Sequence, residues 1–537
     1  MLRLLSIVGI IVILSLGIFL RVSHLDGKPI WADESVTLSV VSGYWPTDWI
    51  HRFSSGQVFT VKELLQYQYP NSDRGWGEVW KLIAEDTHPP LYPILARYWL
   101  LWFGNSVTVL RSLSVVFGLL LIPCIYWLSW ELFRSPLLGL LAALLMAVSP
   151  IHIYYAQEAR LYSLFTLLTL LSAIALLRAI RLKTRMAWLI YGLTLVLGLY
   201  SYLFFIFVAI GYLGYVFFLE GFCWTRTSVK SLIAFLASLI IFVPWIVVIV
   251  ENYSDFKERS AWVGEQALSL TGAVRLWIQN ISLAFFDPWI FPYFRLGKIN
   301  PFVYILVLFV LIFVGYSLYF LCSKASKKQY GFILSLVLST GLPLVLADLF
   351  LGGNRQTWPR YLLPVYLGIQ LAVSYLLSVR ITSVKTPGRV NKAWFMLGTI
   401  LLVLSLFCSV IYVQADTWWN KYESGVLVQI ARTIDQAEQP LVLVDLTDRP
   451  ENAHPLIYHS LNPDVRVQFV AYPDSKALDF NRFDQVFVFA NSNRAPISNW
   501  FNSKLSQQGY TLKQGLKFSG SGNFQGMSLY RVVPIRF

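Results

Sequence analysis

Long unbroken runs of apolar residues, separated by short polar segments, make up most of the first three quarters of the chain. A run of about 20 apolar residues is long enough to cross a hydrocarbon layer of ~30 Å as a helix. The pattern predicts eleven membrane-spanning helices. Their expected bounds are 4–20, 112–133, 137–150, 161–180, 187–200, 202–219, 229–250, 302–322, 330–350, 361–379 and 394–413. The first is expected to be a retained helix, because no small-x-small cleavage site follows it.

One segment, residues 89–104 (PPLYPILARYWLLWFG), is apolar but contains prolines and Arg97. Proline interrupts a helix, and a charged side chain is costly inside a bilayer. We therefore expect an interfacial or re-entrant helix on the outer side. A full span at this point would reverse the orientation of every later span.

The pattern changes at about residue 414, where short strand-like apolar runs begin to alternate with stretches compatible with helices. The strand candidates are 441–445, 465–470, 486–490 and 527–533, and the helix candidates are 423–437 and 497–508. Such alternation is typical of a small α/β domain. The predicted fold class is an all-α polytopic membrane domain with a C-terminal extracytoplasmic α/β domain. The expected domains are 1–413, with a large first outer loop at 21–111, and 414–537.

Composition supports a membrane protein, since 56% of the 537 residues are hydrophobic and only 13% are charged. Soluble domains carry about 25% charged residues, which excludes a soluble enzyme and a disordered chain. The net charge of +14 does not indicate nucleic-acid binding, because the basic residues cluster in short loops between spans. These clusters are Arg178, Arg181, Lys183 and Arg185; Lys324, Lys327 and Lys328; and Arg380, Lys385, Arg389 and Lys392.

Orientation follows from these clusters, because short cytoplasmic loops retain positive charge. All three clusters are cytoplasmic if the N-terminus is inside. Residues 22–91 would then be outside, and they hold nine acids and five bases, without a basic excess. We expect a multi-pass protein of the plasma (inner) membrane, since the C-terminus carries no endoplasmic reticulum retrieval signal.

Candidate chemistry lies in three acidic clusters on the predicted outer face. They span Trp31 to Ser35, Asp86 to Tyr92 and His152 to Tyr162. A carboxylate at the boundary between water and lipid can act as a general base, and arginine can bind a phosphate with two hydrogen bonds. The clusters therefore predict group transfer from a lipid phosphate.

Structural alternatives stay open for each cluster. Asp33 and Glu34 could cap a helix that begins at Ser35. Glu158 and Arg160 could pair only with other charges of the outer face. His88, which precedes two prolines, could be a turn residue.

Three motifs in this order on one face resemble those of the C-type (GT-C) integral-membrane glycosyltransferases. They are Asp33-Glu34 soon after the first span, the His-Pro-Pro-Leu-Tyr of 88–92, and the segment Ser149 to Tyr162. The resemblance is narrowest to the branch of protein mannosyltransferases and aminoarabinose transferases. It covers residues 1–220, and less clearly the Arg-Tyr-Leu-Leu-Pro that begins at Arg360.

The resemblance implies a transferase that uses a polyprenyl-phosphate sugar at the outer face. Asp33 would be the catalytic base, with Glu34 supporting the acceptor site and Glu158 as the second acidic residue. His88 would lie near the donor phosphate. Arg160 and Arg360 are further candidates for holding that phosphate, and the candidates for lining the substrate are Trp31, Tyr92 and Tyr155. Members of this branch need no divalent metal, so no cofactor is expected.

Three other functions are compatible with the membrane pattern. A lipid-linked sugar transporter or flippase would place its charges near the midplane and often has internal repeats, and neither feature is seen in the sequence. A glycan polymerase or ligase would use the same bond chemistry with a larger donor, and a scaffold would have no chemistry. The expected partners are a polyprenyl-phosphate sugar, membrane lipids and an acceptor that is a protein, a glycolipid or a cell-wall glycan.

Overall fold

The computed structural model describes the chain except for residues 1, 46–47, 49–52, 54–55, 72, 87, 261–268, 291–300, 384–390, 448–454, 471–479, 492–496, 518–526 and 536–537. The described helices of the first half are α1 (Leu2–Val22), α2 (Ala32–Ser42), α3 (Val61–Leu65), α4 (Trp76–Asp86), α5 (Leu91–Phe103), α6 (Val107–Phe133), α7 (Pro136–Val148), α8 (Pro150–Ala156), α9 (Tyr162–Leu182), α10 (Arg185–Ser201), α11 (Phe205–Leu219), α12 (Arg226–Glu251) and α13 (Tyr253–Ser260). Those of the second half are α14 (Leu270–Ser282), α15 (Pro301–Lys324), α16 (Lys327–Leu351), α17 (Leu363–Thr382), α18 (Lys392–Gln414), α19 (Gly425–Ile434) and α20 (Asn499–Gln507).

Six strands are described: β1 (Val58–Thr60), β2 (Pro440–Asp445), β3 (Arg466–Val470), β4 (Gln485–Asn491), β5 (Tyr510–Lys517) and β6 (Met527–Pro534). The chain divides into two compact units. One, here called the membrane unit, consists of Met1–Leu25, Ala84–Leu95 and Leu110–Gln414. The other, here called the sheet unit, consists of Asp26–Ile83, Ala96–Val109 and Ala415–Phe537.

Each of the eleven apolar segments predicted to span the membrane is helical. Seven of these helices are long and apolar enough to cross a bilayer, namely α6, α9, α12, α15, α16, α17 and α18. The pair α7 and α8 meets the same condition as one bent span, and the apolar parts of α1, α10 and α11 are shorter. The chain is therefore a multi-pass membrane protein. The exact number of spans stays a prediction.

The bend between α7 and α8 has a local cause in the sequence Ser149-Pro150. Ser149 is extended, with φ −67° and ψ 119°, and Pro150 occupies the first turn of α8. Proline disfavours a helical residue before it and cannot donate the backbone hydrogen bond that would continue α7. The chain turns by 58° at this point. The predicted span 137–150 thus ends early, and α8 leads directly into the loop that carries Glu158.

A buried arginine joins the end of α1 to the end of α7. The guanidinium of Arg21 donates hydrogen bonds of 2.9 Å to the carbonyl oxygens of both Met146 and Ala147. These carbonyls belong to the last turn of α7, where no helical N–H can reach them. Gly118 makes room for this side chain, because a Cβ atom there would lie 3.4 Å from the Arg21 Nε atom and 2.6 Å from Ala156.

The sheet unit contains one mixed sheet with the strand order β1-β3-β2-β4-β6-β5. The strands β3, β2 and β4 are parallel, whereas β1, β6 and β5 pair with antiparallel neighbours. Every residue of the central β2 is buried, because α19 covers one face of the sheet and α20 the other. This arrangement confirms the α/β character predicted for the C-terminal region.

The first long loop also contributes to the sheet unit. Its strand β1 pairs with β3, and Val61 and Leu64 of α3 are fully buried in the core below α19. The sequence patterns did not indicate this pairing, since β1 has only three residues. The predicted C-terminal strands are present within one or two residues at each end, and β5 was not predicted. The proposed boundary near residue 413 stays a prediction.

Candidate active site

The predicted site residues are distributed over both units. Trp31, Asp33 and Glu34 belong to the sheet unit. The remaining six belong to the membrane unit: His88, Tyr92, Tyr155, Glu158, Arg160 and Arg360.

The acidic pair lies in the first turn of α2. This helix begins at Ala32, so its start precedes the Ser35 considered as an alternative from the sequence. Trp31 flanks the helix in an extended conformation, and Ser35 donates a hydrogen bond from its hydroxyl to the Ala32 carbonyl. The Asp33 side chain is partly exposed, whereas Glu34 is fully buried. Carboxylates in this turn face the positive end of the helix dipole.

Glu34 forms a buried ion pair within the sheet unit. Its Oε2 atom lies 3.1 Å from the Nζ atom of Lys421, and neither side chain has any exposed surface. Lys421 belongs to a short 3-10 helix, Trp419–Ser424, that follows α18. Two charges removed from water are stable only when they are well paired, so this contact fixes α2 against that helix. Lys421 had not been identified from the sequence.

His88 and Arg160 are brought together in the membrane unit. The His88 Nδ1 atom lies 3.2 Å from the Asp86 carboxylate, and its Nε2 atom lies 3.5 Å from the Arg160 guanidinium. Arginine can only donate hydrogen bonds, so Nε2 accepts and Nδ1 carries the proton that faces Asp86. The His88 side chain thus contacts both an acid and a guanidinium, and its role at the donor phosphate stays a prediction. Asp86, which was not among the predicted site residues, sets the orientation of the imidazole.

Tyr92 is connected to the same loop through a serine. Its hydroxyl lies 2.9 Å from the Ser114 hydroxyl, which in turn donates a 3.2 Å hydrogen bond to the Arg160 carbonyl. Gln157 fixes the other end of the loop, because its side-chain amide donates to the carbonyls of Leu20, Arg21 and Ser23 at the end of α1. The sequence segment between α8 and α9 is thus held at both ends.

Arg360 lies among aromatic rings in the membrane unit. Its guanidinium carbon is 4.9 Å from the ring centre of Trp358, 5.4 Å from that of Tyr361 and 6.0 Å from that of Tyr162. The side chain is buried. A cation that lies over aromatic faces is stabilised by their quadrupoles, which limits the conformations of this guanidinium. The predicted span 361–379 begins later than expected, since α17 starts at Leu363 and a 3-10 turn precedes it.

Tyr155 connects the arginine to the second acidic residue. Its ring packs edge to face on that of Tyr162 at 5.0 Å, and its hydroxyl lies within electrostatic range of both Glu158 and Arg360. Tyr202 is similarly within range of Arg160 and Arg360. Glu158, Arg160 and Arg360 therefore surround one group of tyrosines. Its members are Tyr155, Tyr162 and Tyr202. The three charged residues are at least nine-tenths buried.

This group combines two arginines, a histidine and a carboxylate in a largely buried environment. Electrostatic interactions are strong where water is excluded, so such cations can stabilise charge that develops on a phosphate. The aromatic neighbours Tyr202, Trp358 and Tyr361 were not predicted, although Trp358 and Tyr361 flank Arg360 in the sequence. Among the described residues, no three His, Cys, Asp or Glu side chains converge as metal ligands.

Comparison with known proteins agrees with the resemblance seen in the motifs. Residues 87–248 match the family model described as dolichyl-phosphate-mannose-protein mannosyltransferase. No curated protein sequence matches the chain. ArnT from Cupriavidus metallidurans, in a crystal structure with undecaprenyl phosphate, has a TM-score of 0.51 and 13% identity, over 98% of this chain and 97% of ArnT.

The archaeal oligosaccharyltransferase AglB from Archaeoglobus fulgidus, in complex with an inhibitory peptide and a dolichol-phosphate, gives a TM-score of 0.48 at 12% identity. That match covers 98% of this chain and 74% of AglB. The ArnT comparison shows the shared fold, and the family match covers the segment that carries His88, Glu158 and Arg160. Residues 87–248 are therefore similar to this mannosyltransferase family, and the whole chain shares its fold with ArnT.

Proposed function

We propose that this protein transfers a sugar from a polyprenyl-phosphate donor to an acceptor at the extracytoplasmic face of the plasma (inner) membrane, with Asp33 as the general base. The observation that carries the proposal is the group formed by Arg360, Arg160 and His88 next to Glu158. The two guanidiniums can donate hydrogen bonds to a phosphate, His88 contacts that of Arg160, and the buried carboxylate can accept hydrogen bonds from a sugar. The match to a mannosyltransferase family and the ArnT structure with undecaprenyl phosphate support a lipid-linked donor.

The proposed reaction exchanges one bond at the anomeric carbon. A hydroxyl or amine of the acceptor attacks this carbon, the bond to the phosphate oxygen breaks, and its electron pair leaves with the polyprenyl phosphate. Asp33 takes the proton of the acceptor. The leaving phosphate gains one negative charge, which Arg160 and Arg360 offset through hydrogen bonds, while His88 orients the Arg160 guanidinium. With two arginines available, the reaction is proposed to need no divalent metal.

Glu158 and the aromatic residues are assigned to the sugar and the lipid phosphate. Glu158 can accept hydrogen bonds from sugar hydroxyls, and Tyr92, Tyr155 and Trp31 can offer ring faces or hydroxyls. Glu34 is proposed to support the acceptor site, either directly or by holding α2. The acceptor is a protein, a glycolipid or a cell-wall glycan.

The proposal is tested with a donor that carries two labels. The purified protein in lipid is incubated with polyprenyl-phosphate sugars, one sugar at a time, with ³H in the prenyl chain and ¹⁴C in the sugar. Membranes and cell walls of the source organism without this protein supply the acceptor. A transferase moves the ¹⁴C-labelled sugar to the acceptor and leaves ³H in the lipid. EDTA should not change the rate of this transfer. A flippase moves both labels together, and a polymerase or ligase leaves single-sugar donors unused, so either outcome contradicts the proposal.

Replacing Arg360 with Ala should raise the KM for the donor by about 10- to 100-fold, because hydrogen bonds to a charged group contribute about 1.5–3 kcal/mol. The KM for the acceptor should stay within about twofold. The measurement is steady-state kinetics with each substrate varied in turn.

The matched control is Arg355→Ala, which removes an arginine from the same segment. Arg355 pairs with Asp348 at 3.0 Å and is not assigned to the phosphate site, so the donor KM of this variant should stay near that of the unmodified protein. An unchanged donor KM in Arg360→Ala would remove Arg360 from the phosphate site.

A further inference from the structure

A second group of charged residues lies in the membrane unit, where α6 and α9 end. Glu131, near the end of α6, is buried and contacts three arginines. Its carboxylate oxygens lie 2.9 Å from Arg181, 3.2 Å from Arg134 and 3.9 Å from Arg178. Lys328, at the start of α16, is within electrostatic range of Glu131, Arg134 and Arg181. We call these five residues the Glu131 cluster.

Positive charge exceeds negative charge within this cluster. Glu131 contributes one negative charge against the positive charges of three arginines and Lys328. Each guanidinium carries five N–H donors, whereas one carboxylate offers about four acceptor positions. Glu131 therefore positions the arginines more than it neutralises them. The arginine side chains are 41–45% exposed, so an external anion can reach them.

The surroundings of the Glu131 cluster are those of a membrane interface. The Arg178 guanidinium lies 5.5 Å from the ring centre of Trp127, and that of Arg134 lies 6.0 Å from Trp130. Both indoles are substantially exposed, at 40% and 37%. Tryptophan is enriched where the hydrocarbon layer meets the headgroups. An anion at this position would therefore be attached to the bilayer rather than free in bulk water.

The position along α9 separates this cluster from the candidate active site. Arg160 lies two residues before the start of α9, whereas Arg178 and Arg181 lie in its last two turns. At 1.5 Å per residue, the helix carries these two groups about 28 Å apart, which is close to the thickness of the hydrocarbon layer. The Glu131 cluster therefore lies at the opposite boundary of the membrane, which the basic loops predict to be cytoplasmic.

We propose that the Glu131 cluster binds the headgroup of an anionic phospholipid in the leaflet opposite the candidate active site. The phosphate oxygens accept hydrogen bonds from the arginines and Lys328, while the acyl chains continue along the apolar surface beside Trp127 and Trp130. This lipid site is independent of the proposed sugar transfer, because none of its residues is assigned to the transfer reaction.

The test compares lipid retention by the full-length protein and two double variants. Each protein is purified in mild detergent, mixed with equal amounts of phosphatidylglycerol and phosphatidylcholine, and analysed by native mass spectrometry. The variant Arg178→Gln/Arg181→Gln removes two arginines of the cluster. The control Arg185→Gln/Arg226→Gln removes two exposed arginines at the starts of α10 and α12. Only monodisperse fractions with the same elution volume are compared.

The unmodified protein and the control should retain phosphatidylglycerol in preference to phosphatidylcholine. Arg178→Gln/Arg181→Gln should lose this preference by about fivefold or more, whereas Arg178→Lys/Arg181→Lys should keep most of it, since the positive charge toward the anionic lipid is retained. No preference in the unmodified protein, or equal losses in the two Gln variants, would overturn the proposal. Displacement of the lipid by millimolar inorganic phosphate would show a site for free phosphate and would also overturn it.

Discussion

Replacing Asp33 with Asn should lower the rate of sugar transfer by about 10²- to 10⁴-fold, the range that general-base catalysis contributes. Asparagine keeps the size of the side chain and removes its ability to take a proton. The loss of one negative charge in the first turn of α2 should cost only about 0.3–1 kcal/mol of stability. The variant should therefore be folded and inserted, with normal elution on size exclusion and a nearly unchanged melting temperature.

A matched control for this variant is Asp26→Asn. Asp26 is an exposed acid of the same first loop that lies outside α2. Its replacement should leave the rate unchanged, which would separate a specific loss from a general effect of charge in this region. Near-normal transfer by Asp33→Asn, at the same amount of folded protein, would remove Asp33 from the role of base.

Much of the architecture could be predicted from the sequence because the membrane imposes a simple requirement. Every backbone polar group within a bilayer must be satisfied locally, so long apolar runs form helices whatever their neighbours are. All eleven predicted segments are helical for this reason. The parallel strands were also visible, since buried strands such as β2 have short continuous apolar sequences.

The parts that the sequence did not reveal depend on contacts between distant segments. The strand β1 has three residues and exists only because β3 offers a partner, and β5 is an edge strand with many polar residues. Lys421 is 387 positions away from Glu34, and no local pattern connects them. In the same way, the motif around Arg360 predicted a cation near the phosphate but not its contact with the ring of Tyr162 at the start of α9.

Breaking the ion pair between Glu34 and Lys421 should have the largest effect on stability. Lys421→Met leaves the Glu34 charge buried without this partner, and the loss of one member of a buried pair costs about 3–5 kcal/mol. The melting temperature of the purified protein, followed by size exclusion after heating, should fall clearly. A matched control is Arg432→Gln, which breaks the ion pair between Arg432 and Asp416. The side chains of these two residues are 63% and 64% exposed. Exposed pairs contribute only about 0–1 kcal/mol, so this control should hardly change the melting temperature.

The double variant Glu34→Gln/Lys421→Met then distinguishes two roles of Glu34. It contains no uncompensated charge at this position, so it should recover most of the stability lost in Lys421→Met. If Glu34 acts by holding α2 and hence Asp33, transfer activity should recover together with stability. If Glu34 contacts the acceptor directly, stability should recover while the KM for the acceptor stays raised. If the double variant is as unstable as Lys421→Met, the buried charge of Glu34 does not explain the lower melting temperature of Lys421→Met. The predicted contribution of the ion pair to stability is then wrong.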